Sequence, residues 1–293
     1  MPNHPPALLL SLIACQLLLC MNTGFADPPE GYELVWADEF DVDGPVNPEN
    51  WTFEKGFVRN EELQWYQPEN AFCKDGFLVI EGRRERRDNP SYDPNAGRGD
   101  WRRNRQFIEY TSSSLKTQGL QEWTYGLFEI RARIDARDGL WPAIWMLGVR
   151  GGWPRNGEID IMEFYDNSIL ANTCWQHGRR RGQVWDTGKI PLSEFGEGWA
   201  DEFHVWRMLW TEEEIRLSVD DRVLNTTDLA EVDRTKGDFA KPFRQPNYLL
   251  LNLAIGGKNG GDPSQTEFPG TYQVDYVRMY QKPANEETPS KSQ

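Results

Sequence analysis

The sequence predicts an all-β protein, a β-sandwich or jelly roll of antiparallel sheets. Three observations carry this. Apolar and polar residues alternate with period two in segment after segment, as they do on a strand with one buried face. Turn clusters rich in Gly, Pro, Asn and Asp separate these segments, and the chain holds 26 Gly and 19 Pro in 293 residues. Helical stripes with a 3.6-residue period are absent. Many short strands between turns lead to two packed sheets.

The chain opens on an apolar run, ALLLSLIACQLLLC over residues 7–20, too short to span a bilayer. Gly24 and Ala26 follow at the −3 and −1 positions of a cleavage site, which predicts a signal peptide over 1–26 and a secreted protein, extracellular or periplasmic. Cys15 would be the modified residue of a lipoprotein, but the apolar run continues past it, so anchoring is the weaker reading. ELVWADEF (33–40) and GFLVIEG (76–82) read as strands. The arginine-rich stretch 83–105 reads as a charged, solvated excursion between strands.

In YGLFEIRARI (125–134), Phe128, Ile130, Ala132 and Ile134 share one face, with Glu129, Arg131 and Arg133 on the other. FHVWRMLW (203–210) is another strand, and EEIRLSVDDRVL (213–224) reads as a hairpin turning at Asp220–Asp221. NYLLLNLAIGG (247–257) and TYQVDYVRMY (271–280) complete the set, before a tail over 283–293 whose composition predicts disorder. No linker or repeat divides residues 27–282, which read as one domain.

The formal charge is −14, with no Asp, Glu, Lys or Arg in the leader. Such a balance argues against nucleic acid and anionic membrane as partners. Outside the leader only Cys73 and Cys174 remain, too few for a disulfide framework. Three histidines, one of them His4 in the leader, nearly rule out a histidine-based metal site. There is no G-x-S-x-G elbow, and GGKNGG (256–261) matches neither a phosphate loop nor a dinucleotide fingerprint.

Acids and aromatics are left. GEIDIMEFY (157–165) sets Glu158, Asp160 and Glu163 close together. On a regular strand Glu158 and Asp160 share a face and Glu163 does not. One extra residue absorbed near Ile161–Met162 as a β-bulge returns Glu163 to that face. Carboxylates so close raise one another's pKa, and a charged acid beside a protonated one is what glycosidic cleavage requires. An acidic solvent face and an oxygen-ligand calcium site are the competing readings of this stretch. The chain also holds 13 Trp, and Trp141, Trp145 and Trp175 flank the acids in sequence. Indole rings stack on the C–H faces of sugars, so these are candidate sugar platforms.

Together GYELVWADEF, NEELQWY, GLWPAIWMLG, GEIDIMEF and VDYVRMYQ resemble glycoside hydrolase family 16 in its laminarinase-like branch, from about residue 31 to 281. The E-I-D-I-M-E form resembles the bulged version of the motif, with Met162 as the extra residue. The resemblance implies a jelly-roll sandwich of two antiparallel sheets with a concave substrate cleft. It implies a retaining endo-β-glycanase needing no cofactor for catalysis. Glu158 would be the nucleophile, Glu163 the acid/base and Asp160 the residue tuning the nucleophile, with the two glutamates about 5–5.5 Å apart.

Trp141 and Trp145 match cleft tryptophans near the cleaved bond, and Asn60 and Gln64 match positions lining the donor side. Many relatives carry a histidine in the strand after the catalytic one. Here Trp175 falls near that position and is expected in the cleft, while His177 stands two residues on. A structural calcium on the convex side is expected from Glu39, Gly76 and Asp275. The implied partner is a polysaccharide, β-1,3-glucan with mixed-linkage β-glucan as a second substrate, acted on by a monomer. The alternatives are an endo-hydrolase of agar- or carrageenan-like β-galactans and a non-catalytic carbohydrate-binding protein.

Overall fold

A computed structural model describes residues 30–178, 182–235 and 241–283. The expected leader (1–26), and all of the expected tail but residue 283, lie outside the described residues. In chain order the strands begin with β1 (Glu33–Asp38), β2 (Thr52–Phe53), β3 (Gln64–Tyr66), β4 (Ala71–Lys74), β5 (Phe77–Asp88) and β6 (Phe107–Ser112). There follow β7 (Ser114–Lys116), β8 (Gly126–Arg133), β9 (Leu140–Gly148), β10 (Glu158–Tyr165), β11 (Ser168–Gln176) and β12 (Gln183–Pro191). The last are β13 (His204–Trp210), β14 (Glu214–Val219), β15 (Arg222–Asp228), β16 (Asn247–Ile255) and β17 (Gly270–Gln281). A seven-residue helix, α1 (Leu229–Thr235), interrupts the series; Leu229 and Val232 are the buried residues of this one short α-helix.

The strands form two sheets, one ordered β15-β14-β13-β8-β17-β5-β6-β3, with β1 and β4 pairing off that path, the other β12-β11-β10-β9-β16-β7-β2. All pairings are antiparallel except β3 with β6, which is parallel. This is the two-sheet architecture that the strand periodicity predicts.

Alternation places the core. Phe128, Ile130 and Ala132 of β8 are fully buried, as are Ile215, Leu217 and Val219 of β14, and they meet Ile159, Ile161 and Met162 of β10 in one apolar cluster between the sheets. At roughly 25 cal/mol per Å² of apolar surface, this shared core is the main force holding the sheets face to face. The opposite face of the second sheet carries a smaller cluster of Ala143, Trp145, Tyr248 and Leu250. Apolar residues on both faces explain why β9, β11 and β16 read as nearly continuous buried runs.

The arginine-rich stretch departs from its sequence reading. β5 runs on to Asp88, so only residues 89–106 form a loop, and Arg102 and Arg105 lie folded back onto residues 57–62. Its charges face carbonyl groups rather than water alone. Cys73 and Cys174 are both buried and unbridged.

Candidate active site

The catalytic-type acids stand on β10, whose start is set by Gly157. That residue has φ +80°, and a Cβ there would come within 2.7 Å of Pro242, so only glycine fits. On the β11 side Asp160 pairs with Asn172 but Glu163 pairs with Leu170; on the β9 side Asp160 pairs with Trp145 and Met162 with Ile144. The strand therefore carries one extra residue between Asp160 and Glu163. Ile161 and Met162 both enter the core, and Glu163 returns to the face of Glu158 and Asp160. The bulge inferred from the spacing is the feature that aligns the three acids.

These acids line a cleft of about 660 Å³ on the outer face of the β9-β10-β11-β16 sheet. Every close donor to them is neutral. Trp141 Nε1 donates to Glu163 Oε1 at 2.9 Å, and Asn172 Nδ2 donates to Glu163 Oε2 at 3.0 Å and Asp160 Oδ2 at 3.3 Å. Trp153 Nε1 donates to Glu158 Oε2 at 2.5 Å.

Burial pushes the Glu163 carboxyl up to about 7, with the Glu158 charge adding to the shift and the Trp141, Asn172 and Asp160 hydrogen bonds opposing it. Asp160 is pushed well above the usual range by burial and then by the charges of Glu163 and Glu158. Glu158 is also raised by burial, but the Trp153 hydrogen bond, Arg59 and the Asp160 hydrogen bond pull it back. The three environments differ: burial and the Glu158 charge push Glu163 up to about 7, while hydrogen bonding and the Arg59 charge offset part of the rise at Glu158.

Trp141 and Trp145 line the cleft, Trp145 donating Nε1–H to Asn252 Oδ1 at 2.7 Å with the Arg59 guanidinium 4.9 Å from its ring. Asn60 also lines it. Gln64 does not. It is buried, donating to Glu62 Oε2 at 2.7 Å and accepting from the Ile255 N–H at 2.7 Å, so it holds Glu62, and Glu62 faces the cleft.

Trp175 is corrected too. It shares the phase of Ile169 and Ala171 on β11, packs in the core near Phe243, and donates Nε1–H to Thr235 at 2.9 Å. The cleft-facing phase of that strand belongs to Asn172. His177 is exposed beyond the end of β11.

The cleft tryptophans missed in the sequence are Trp153 and Trp185, exposed by 50% and 43% yet both lining the cleft. Trp185 was legible in principle. In QVWDTGKI it falls on the exposed phase with Gln183, Thr187 and Lys189, an unusual place for an indole on a strand.

The expected calcium ligands do not fit as a set. Glu39 is clamped by Arg278, with Nε and Nη2 each 2.8 Å from a carboxylate oxygen, and Asp275 is paired with Arg131. Gly76 sits in the β4–β5 turn with φ +82°. Among the described residues no group of three or more His, Cys, Asp and Glu side chains could hold a metal ion. Guanidinium groups engage both carboxylates of the expected set.

Comparison with known proteins agrees with this geometry. The model of glycosyl hydrolases family 16 matches residues 64–278. A β-glucanase of Rhodothermus marinus is 39% identical over 94% of this chain and 93% of its own length. The structure of the laminarinase from Rhodothermus marinus superposes with a TM-score of 0.69 at 37% identity, covering 85% of this chain and 97% of that one. A structure from work on endo-acting O-glycanases of the human gut microbiota that initiate mucin breakdown superposes with a TM-score of 0.79 at 33% identity, over 87% and 93% of the two chains. The bulged acid row, the cleft over it and a family match across most of the chain make one conclusion: the protein belongs to glycosyl hydrolase family 16.

Proposed function

We propose that this chain is a secreted endo-β-glucanase that cleaves β-1,3-linked glucan, with mixed-linkage β-glucan as a second substrate, with retention of anomeric configuration. The observation that carries the reading is the alignment of Glu158, Asp160 and Glu163 across the bulge, with the proton held on Glu163. Charged Glu158 attacks the anomeric carbon while Glu163 gives its proton to the departing glycosidic oxygen. This forms a glycosyl-enzyme ester and releases the leaving chain. Glu163, now charged, takes a proton from water, whose oxygen displaces Glu158 and restores the starting state. Asp160, held neutral, hydrogen-bonds Glu158 and favours its charged form. No metal or organic cofactor has a step in this scheme.

The β-1,3-glucan assignment rests on likeness to the laminarinase structure and the Rhodothermus β-glucanase. A second reading, endo-cleavage of mucin O-glycans, is favoured by one observation: the TM-score of 0.79 belongs to the structure from work on endo-acting O-glycanases. The test is incubation of purified protein with laminarin, mixed-linkage glucan, agarose, carrageenan and mucin O-glycans, with products separated by size. Oligosaccharides from laminarin are expected, and NMR of the first product should show the β-anomer. Products only from galactosides would overturn the substrate, and an α-anomer would overturn double displacement. Measurement of the mature N-terminus in exported protein checks the leader.

A further inference from the structure

Residues 57–62 supply Arg59, Asn60 and Glu62 to the cleft wall, and their backbone is strained. Asn60 and Glu61 are consecutive non-glycine residues with φ of 53° and 55°, a conformation side chains rarely adopt. One side of this segment is met by the 256–261 turn, where the Lys258 N–H donates to the Asn60 carbonyl at 2.9 Å. A Cβ on Gly257 would stand 2.8 Å from that carbonyl, so the approach requires glycine.

The other side is met by the 89–106 loop. Arg105 donates from Nη1 to the Glu62 carbonyl and from Nη2 to the Glu61 carbonyl, at 2.5 and 2.7 Å. Arg102 donates to the carbonyls of Phe57, at 2.9 Å, and Val58. The Arg105 guanidinium also lies 4.9 Å from the rings of both Phe57 and Trp101. Asn89 closes the loop on itself, donating to the carbonyls of Arg102 at 2.9 Å and Arg105 at 2.7 Å. A loop held by its own hydrogen bonds thus delivers two planar, multi-donor groups to four carbonyls of a strained segment. Neither arginine lines the cleft, whereas Asn60 and Glu62 do.

We infer that the 89–106 loop is a positioning element for this wall, acting through Arg102 and Arg105, and that it sets affinity for the sugars lying against Asn60 and Glu62 rather than the rate of bond cleavage. The inference rests on the hydrolase reading above. Glu158 and Glu163 stand on β10 and take their hydrogen bonds from Trp141, Trp153 and Asn172, none of them in the loop or in residues 57–62. Arg59 of the wall reaches Glu158 through its charge alone, so binding and chemistry should largely separate.

The experiment compares Arg105→Ala and Arg105→Lys with wild type in the full chain, on a long and a short laminari-oligosaccharide. If only another polymer of the panel is cleaved, oligosaccharides of that polymer replace them. Arg105→Ala should raise KM on the long substrate about tenfold with kcat within about twofold, and leave the shortest cleaved substrate nearly unchanged. Arg105→Lys keeps the charge but lacks the two-carbonyl fork, so it should recover only part of the loss, and it carries the comparison if the alanine variant does not fold.

Hydrogen exchange reads the same proposal without turnover: amides of 57–62 should exchange faster in the variant while those of Glu158–Tyr165 do not change. Unchanged exchange at 57–62, or an equal loss of kcat on long and short substrates, overturns the inference. A wild type inactive on every polymer would instead overturn the hydrolase reading, and the exchange comparison would still decide the role of the loop.

Discussion

Two groups of acids lie on opposite outer faces of the sandwich, and they differ in what faces them. On the ten-stranded sheet three acids meet a guanidinium: Glu129 with Arg207, Asp275 with Arg131, Glu39 with Arg278. In the cleft Glu158, Asp160 and Glu163 meet indole and amide N–H groups, and the nearby cation, Arg59, is already paired with Glu54. A neutral donor orients a carboxylate without cancelling its charge, so burial and mutual repulsion are left to raise the pKa. The first group is structural and the second can move protons. Counting acids would not have separated them.

The sharpest way to break the contrast is to remove a cleft acid. Glu163→Gln should lower kcat/KM on polysaccharide by about a thousandfold or more while retaining far more activity on an aryl glycoside whose leaving group needs no proton. Equal loss on both in folded protein would remove Glu163 from the acid role. Glu158→Ala should lose comparable activity and regain turnover with azide, giving an inverted glycosyl azide; a retained product would exclude it as nucleophile.

On the other face the expected effect is on stability. Arg278 is 8% exposed, and Arg278→Ala leaves Glu39 partly buried without its clamp, which should cost about 2 kcal/mol in urea unfolding with kcat unchanged. A loss of activity at full stability would show that the faces are not independent.

Acidity gives a finer test. Glu163 must be protonated to act, so kcat/KM should fall as pH rises through about 7. The Trp141 hydrogen bond favours the charged form, so Trp141→Phe should move this basic limb upward, by about one unit. A downward move would reverse the assigned sign. Because folding raises this pKa above the ordinary glutamate value of 4.5, its ionisation withdraws stability as pH rises from about 4.5 to 7. Glu163→Gln should therefore gain stability over wild type at pH 8 and lose that advantage at pH 4.

Smaller again is Trp185→Ala, expected to raise KM a few-fold, about 1 kcal/mol of lost stacking, with kcat preserved. Unaltered KM on all chain lengths would exclude Trp185 as a sugar platform. Smallest is chelation. With Glu39 and Asp275 held by arginines, EDTA should leave the melting temperature within about a degree, and a larger fall reversed by calcium would show that the arginines yield to the ion.

Where the sequence reading succeeded and failed follows the range of the interaction. The strands at 125–134 and 213–224 were legible because alternation is a local property of consecutive side chains. The acid row was legible because three carboxylates in six positions need a bulge to act together. Trp175 was misplaced because its neighbours are buried on both faces of β11, where hydrophobicity carries no phase. Gln64 was misplaced, and Glu62 lines the cleft in its stead, because which polar residue of that segment reaches the cleft depends on β16, some 190 residues away. Glu39 and Asp275 read as ligands because their partners, Arg278 and Arg131, are 239 and 144 residues distant in the chain.

By itself, then, the sequence determined the β architecture, the identity of the acids and the residue that brings them into line, since each depends on covalent neighbours and a fixed period of two. Tertiary structure alone decided which tryptophans line the cleft, which acids are neutralised by arginine, and that the 89–106 loop grips the cleft wall. Those outcomes depend on which distant donor arrives beside a group, and only the closed sandwich brings such donors together.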